Sequence, residues 1–335
     1  MIKVALVGFG GIAQIHRYAY WLLSGRGVPV QLIAACDRDP GKFLVKTKTN
    51  LALEDFDNET PFNQYTDLEE MLANEKPDLI DICLPTKFHA SMTIDLLNRG
   101  YNVLCEKPMS STFEECVAML EAEKNSTGRL MIGQCLRFYP EYEYLQKLVV
   151  NKTYGDVIES EFYRYSPPPF WSNDNWQLNA KQSGGCLGEL GIHDVDYVRW
   201  LFGEPQKLSC RIESRVSEDD FTESILTYPT HSSKVLNAWL TPEDVFVHGY
   251  EVKFTNAIVK MRAGKVTVTE NGKAETQVDI TNYDGIIGEI EYLIEVLTGK
   301  HENTKNPPEG SARTVWTLER LRESSNTNSE IIIKE

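Results

Sequence analysis

Gly8-Phe9-Gly10-Gly11-Ile12-Ala13 constrains the fold of this chain more than any other stretch. It follows directly on Ile2–Val7, a short, apolar, β-branched run that reads as a buried strand. It opens a segment in which Ile15, Tyr18, Ala19 and Leu22 recur at helical spacing until Gly25 and Gly27 end it. A G-x-G-x-x-A turn between strand and helix is the phosphate-cradling entry of a Rossmann domain. Gly8 permits the tight turn, Gly10 lets backbone approach a pyrophosphate, and Ala13 is small enough for close helix–strand packing. The main-chain N–H groups of Gly8, Phe9, Gly10, Gly11 and Ile12, at a helix N-terminus, suit an anionic dinucleotide.

The next strand, over 31–36, finishes at Asp37, 24 residues past Ala13. A carboxylate there accepts hydrogen bonds from the adenosine ribose hydroxyls and repels a 2′-phosphate, which favours NAD. Arg38 beside it could pair with that phosphate and leaves NADP open.

Apolar strands over 79–84, 102–105 and 129–134 alternate with helices over 89–98 and 112–124, and Asp67 offers a cap to a helix through Met71 and Leu72. Strands apolar throughout and alternating with helices indicate a parallel sheet covered on both faces, an α/β domain over 1–125. The pattern then changes. Longer strands are expected over 157–165, 207–216, 224–240, 251–262, 265–270 and 276–280, the last two separated by the hairpin signal Asn271-Gly272. Helices fall over 140–150, 186–201, 287–298 and 309–324. Residues 126–335 therefore read as an α+β domain with a large, mostly antiparallel sheet.

Composition excludes some partners. With 34 Lys and Arg against 49 Asp and Glu, the net charge of -15 and the lack of a basic run speak against nucleic acid. No apolar run approaches the ~20 residues that cross a bilayer, and the stretch after Lys3, broken by glycines, is not a secretory leader. Seven scattered cysteines, with no C-x-x-C and no Cys/His cluster at zinc spacing, read as reduced thiols of a cytoplasmic protein without a metal site.

Two further segments carry chemistry. Glu106-Lys107-Pro108 closes a parallel strand at its carboxyl end, where open α/β sheets bind ligands, so Lys107 is a candidate substrate clamp. Residues 183–196 open with glycines and run into a helix on which Glu189 and His193 are four apart. That spacing fits an ordinary polar pair equally well; His193 is the natural proton acceptor near neutral pH.

In this order, residues 8–13, Glu106-Lys107-Pro108 and 184–196 resemble the Gfo/Idh/MocA oxidoreductases, and the resemblance spans essentially the whole chain. Leu84-Pro85-Thr86 followed by His89 is similar to that family's cofactor loop after the fourth strand, Arg137-Phe138-Tyr139-Pro140 to its domain crossover, and Asn306-Pro307-Pro308 to the stretch before its last helix. The resemblance implies NAD(P)-dependent hydride transfer at a secondary alcohol of a sugar or cyclic polyol bound between the domains. Lys107 would orient the hydroxyl, His193 would exchange its proton, and Lys107-Pro108 could be cis. It implies cofactor contacts from Pro85, Thr86, His89, Glu106 and Lys107. Glu189 stands where the family usually has Asp, which puts its place as a third catalytic residue in question. Arg137, Tyr163 and Trp176 are expected toward the substrate, with Tyr165 beside Tyr163. The resemblance also implies a homodimer or homotetramer. Three other functions stay open at this point: an NAD-dependent glycosidase that oxidises its sugar transiently, a non-catalytic sugar sensor, and a dehydrogenase of a non-sugar substrate such as an imine, against which Lys107 and His193 speak for a hydroxyl or carbonyl.

Overall fold

The computed structural model describes residues 1–44, 61–170, 173–242, 245–281 and 283–333. These divide into two compact units: Met1–Cys135 with Gly285–Ala312, and Leu136–Asp284 with Arg313–Glu335.

In the first unit β1 (Ile2–Val7), α1 (Gly11–Gly25) and β2 (Val30–Cys36) follow one another as the sequence pattern requires. After them come β3 (Asn63–Tyr65), α2 (Leu68–Glu75), β4 (Leu79–Ile82), α3 (His89–Asn98), β5 (Asn102–Cys105), α4 (Phe113–Lys124) and β6 (Leu130–Ile132). Among the described residues the six strands form one parallel sheet, in the order β3-β2-β1-β4-β5-β6. This is the doubly wound dinucleotide-binding topology, with strand order reversing between β1 and β4. Local chemistry sets the helix starts. Asp67 accepts the Glu70 N–H at 2.8 Å ahead of α2. Thr112 accepts the Glu115 N–H at 3.2 Å ahead of α4, within a Thr-x-x-Glu capping pattern. The β1 interior, Val4, Ala5 and Leu6, is fully buried, as expected for a strand covered on both faces.

In the second unit α5 (Pro140–Val150) starts on a proline at its first turn, where the missing N–H costs nothing. Then follow β7 (Val157–Tyr165), the single turn α6 (Ala180–Ser183), α7 (Ile192–Phe202), β8 (Lys207–Glu213), β9 (Phe221–Thr227), β10 (Ser232–Ala238), β11 (Val247–Phe254), β12 (Ala257–Arg262), β13 (Lys265–Glu270) and β14 (Thr276–Val278). Two expected strands are each split. The run over 224–240 turns at Tyr228-Pro229, since proline cannot donate into a ladder; the run over 251–262 turns at Thr255-Asn256. The Asn271-Gly272 hairpin forms between β13 and β14, with Gly272 at φ 75°.

The chain ends with α8 (Gly285–Leu297), α9 (Pro308–Thr327) and β15 (Ile331–Ile332). The apolar face of α8 packs on α1 in the first unit, and buried Asn306 donates to the Ile132 carbonyl at 2.8 Å and to Glu289 at 3.2 Å. The first unit thus runs past the expected boundary at residue 125 and takes in a late segment as well. The sheet of the second unit has the order β14-β13-β12-β11-β7-β10-β9-β8-β15; its described neighbours are antiparallel apart from β7 and β10. One face is covered through Phe162, Tyr142, Tyr197 and Tyr250, an aromatic cluster with ring centroids 4.7–5.8 Å apart. All seven cysteines are free, five of them buried. Among the described residues no helix is long and apolar enough to cross a membrane.

Candidate active site

The turn between β1 and α1 meets two separate demands. Gly8 sits at φ 90°, and a Cβ there would lie 2.6 Å from the Cys83 carbonyl oxygen, so the protein's own packing requires glycine. A Cβ at Gly10 would meet nothing within 4 Å. No internal contact asks for that glycine, which fits a position kept bare for a bound phosphate group. Gly10 also caps α1 with no side-chain hydrogen bond, so the first N–H groups of the helix remain available to an anion. The residues present therefore fit a dinucleotide.

Asp37 follows β2 and is buried. Its Oδ2 accepts the Phe9 N–H at 2.8 Å and faces Lys42 Nζ at 3.2 Å; its Oδ1 accepts the Asp39 N–H at 3.0 Å. The carboxylate is thus aimed back at the glycine turn. Lys42, absent from the sequence expectations, supplies a positive charge beside it, while Arg38 is exposed.

At the carboxyl ends of β4 and β5 the two expected cofactor loops are tied together. His89 is buried, with Nδ1 2.7 Å from the Pro108 carbonyl oxygen and Nε2 2.7 Å from that of Leu84. It was expected as a cofactor contact; its ring nitrogens instead face the main chain of both loops. Pro85 precedes a short turn, Thr86–Phe88, in which Thr86 is buried. Lys107-Pro108 is cis. Glu106 is buried, its Oε2 accepts the Lys107 N–H at 3.0 Å, and Lys107 itself is half-buried.

Below this turn lies a group the sequence reading passed over. His16, on the buried face of α1, places Nδ1 2.8 Å from Asp81 Oδ2 and Nε2 3.1 Å from Glu106 Oε1. The Tyr20 hydroxyl donates to the same Asp81 oxygen at 2.8 Å. Burial alone would lower the His16 imidazole, but Asp81 outweighs it and raises the group well above 6.5. Burial alone would raise the Glu106 carboxyl, but His16 and Lys107 hold it below the ordinary carboxylate value. Burial pushes the Cys83 thiol up, so it stays protonated. His16, Asp81 and Cys83 are ligand types for a metal, but 2.8 Å between Nδ1 and Oδ2 is a hydrogen-bond distance. Two ligand atoms on a tetrahedral zinc stand about 3.3 Å apart, given bonds of ~2.0–2.1 Å.

In the second unit His193 occupies the first turn of α7, half-buried, just ahead of Asp194 and Asp196, each of which forms a buried ion pair. Asp194 takes Arg164 Nε and Nη2, both at 3.0 Å, and Asn237 Nδ2 at 2.9 Å. Asp196 takes Arg137 Nε at 2.8 Å and Nη2 at 2.7 Å, and the Thr314 hydroxyl at 2.8 Å. The Arg137 guanidinium, expected at the substrate, is spent on Asp196. Replacing Arg137 by methionine leaves a buried carboxylate uncompensated and should cost about 3–5 kcal/mol, read as a shift of the denaturant midpoint.

The segment ahead of α7, Leu187–Gly191, winds as a π-helix where an α-helix was expected, so the i,i+4 argument for Glu189 and His193 does not carry over. Gly191 permits this close packing: a Cβ there would lie 2.8 Å from Asn237 Oδ1. Glu189 accepts from Gln177 Nε2 at 3.1 Å, one residue past Trp176 on the turn Asn173–Leu178. Tyr163 is a correction. Phe162 and Arg164 of β7 face Tyr197 and Asp194 of α7, so Tyr163 and Tyr165, stacked 5.7 Å apart, lie on the opposite face of the sheet from His193's helix.

Residues 2–134 match the family model for the Gfo/Idh/MocA oxidoreductase family, NAD-binding Rossmann fold, and residues 142–259 match the Gfo/Idh/MocA C-terminal domain. The chain belongs to the Gfo/Idh/MocA family. It is 30% identical over 223 residues to an uncharacterized oxidoreductase of Synechocystis, covering 65% of this chain and 55% of that protein. It is 27% identical over 216 residues to the D-glucoside 3-dehydrogenase of Escherichia coli, covering 64% and 57%. The match thus spans about half the length of these curated relatives. Among solved structures, an Agrobacterium radiobacter oxidoreductase in complex with NAD+, L-tartaric acid and magnesium shares the fold at TM-score 0.82 and 17% identity, over 99% of this chain and 98% of that one. As a Gfo/Idh/MocA protein, this chain carries an NAD-binding domain in its first unit and the family's C-terminal domain in its second.

Proposed function

We propose that the chain is an NAD-dependent dehydrogenase acting on a secondary alcohol of a sugar or cyclic polyol. The observation that carries this reading is one prepared side chain in each of the two units. Lys107 stands on a turn fixed through Glu106 and Pro108, and His193 stands on a helix start fixed by two buried Arg–Asp pairs. Pre-positioning of both a cation and a proton acceptor is what alcohol oxidation asks of a protein. Kinship with a D-glucoside 3-dehydrogenase supports a sugar as the alcohol.

The Gly8 and Phe9 N–H groups, expected at the phosphates, are bonded to Cys36 and Asp37, so Gly10, Gly11 and Ile12 would hold the pyrophosphate, Asp37 the adenosine ribose, and the Glu106-Lys107 turn the nicotinamide end. The bound nicotinamide supplies the hydride acceptor for the carbinol carbon. His193 takes the hydroxyl proton, and Lys107 donates to the oxygen as negative charge develops on it. In the reverse direction His193 returns the proton. The open face of the second-unit sheet, bearing Tyr163 and Tyr165, serves self-association in this reading.

Two measurements test it. NADH formation is followed across aldoses, glucosides, inositols and sugar acids, with reduction by at least one expected and reduction by none contradicting the assignment. Asp37→Asn keeps an acceptor for Phe9 N–H but removes the charge. It should raise NADP affinity relative to NAD by about tenfold, the scale of one charge-assisted hydrogen bond. Wild-type chain binding NADP more tightly than NAD would remove the role given to Asp37.

A further inference from the structure

His16 lies outside the glycine turn, Asp37 and the Glu106-Lys107 pair, yet it touches the last of these. Its ring bridges two buried carboxylates from different strands: Asp81 inside the apolar strand β4, and Glu106 just past β5. The ring's Nδ1 is hydrogen-bonded to Asp81, while Nε2 makes no hydrogen bond and stands at ion-pair distance from Glu106, so its hold on that carboxylate is that of a buried cation. Isolated carboxylates at this depth would be costly, and one cation between them offsets much of that cost. The remaining Glu106 oxygen is committed to the Lys107 N–H. Gly133, just past β6, leaves the space: a Cβ there would come within 3.0 Å of Glu106 Oε1. Glu106 is therefore held by His16 on one side and by its own turn on the other, with backbone close against it.

We propose that His16 is a positioning residue, which fixes the Glu106 carboxylate and through it the turn that meets the nicotinamide end of the cofactor. The inference rests on the proposed placement of Glu106 and Lys107 at that end. In the doubly wound sheet the β1–β3 half takes the adenosine side through Asp37, which leaves the β4–β6 half for the nicotinamide nucleotide. The effect of His16 should then be local to one end of the dinucleotide.

NADH and ADP-ribose, which lacks the nicotinamide, are the probes, each titrated into the full chain by calorimetry. His16→Gln should weaken NADH by roughly ten- to a hundredfold, the lower range for one partner of a close charge pair, and leave ADP-ribose within about twofold. Equal losses for both ligands, or none for either, would overturn the proposal, because a merely structural histidine moves both or neither. His16→Gln strands two buried carboxylates and could fail to fold, so the second arm compares Glu106→Gln with the H16Q/E106Q pair, which removes a cation and an anion together. If His16 acts through Glu106, the pair binds NADH no more weakly than E106Q alone. A further loss in the pair contradicts it. E106Q with wild-type NADH affinity would remove both the placement of Glu106 and this inference. NADH responses as expected in a chain that oxidises no sugar would count against the sugar reading alone.

Discussion

Lys107→Met should lower kcat for NAD reduction about a hundred- to a thousandfold, the cost of removing one preorganised donor from a developing oxyanion. Methionine keeps an unbranched apolar stem and removes the ammonium, so the change falls on charge at the reacting oxygen. Glu106 and His89 still tie the turn through its main chain, and the variant should fold normally. The loss should appear in kcat and kcat/KM together, the pattern of an interaction made chiefly in the transition state. A Lys107→Met protein with full kcat on its best sugar would refute the clamp. A loss confined to KM would reduce Lys107 to a binding contact.

His193→Asn should cost about a hundred- to ten-thousandfold in kcat, the usual worth of a positioned general base. Asparagine retains a polar side chain in the first turn of α7 and cannot accept the proton. The pairs Arg164–Asp194 and Arg137–Asp196 are untouched, so Tm should hold and NADH should bind as before. An H193N chain that binds NADH normally yet turns over at the wild-type rate would remove His193 from the chemistry. A chain that loses rate only in proportion to lost folded protein would mark it as structural.

The first unit was largely legible in the sequence because its determinants are local. Apolar strands of four to seven residues, a glycine turn, capped helices and an acid after β2 specify a parallel sheet without reference to distant residues. What escaped the reading depends on pairing across the chain. His16 and Asp81 are 65 residues apart and meet only when α1 lies over β4. The available signal was an aspartate inside the otherwise apolar Leu79-Ile80-Asp81-Ile82, since a charge in a doubly covered strand must find a partner. Arg137 was ambiguous for the same reason, and Arg164 carried no expectation. An arginine's sequence neighbours do not show whether its guanidinium will meet a substrate or a buried Asp196 or Asp194.

The second unit was legible in class and less so in detail. Alternation located β7 to the residue, but it does not say which face a helix will cover, and Tyr163 fell on the other one. Pro229, inside the run over 224–240, is a local signal for the turn between β9 and β10. The winding of Leu187–Gly191 had glycines as its only local mark, and Gly191 packs against Asn237 of the distant strand β10. Assignment of Gly285–Ala312 to the first unit likewise comes from packing on α1 and from Asn306, not from composition.

The most direct test of the central claim, hydride transfer from a sugar carbinol carbon to NAD, follows the fate of deuterium at that carbon. The sugar that reduces NAD fastest is labelled at its carbinol position, turned over with the wild-type chain, and the reduced cofactor and product are weighed by mass spectrometry. Each NADH formed should carry one deuterium, and the ketone product none. Deuterium retained in the sugar, lost to water, or found in a cleaved glycoside formed with no net NADH would contradict that claim.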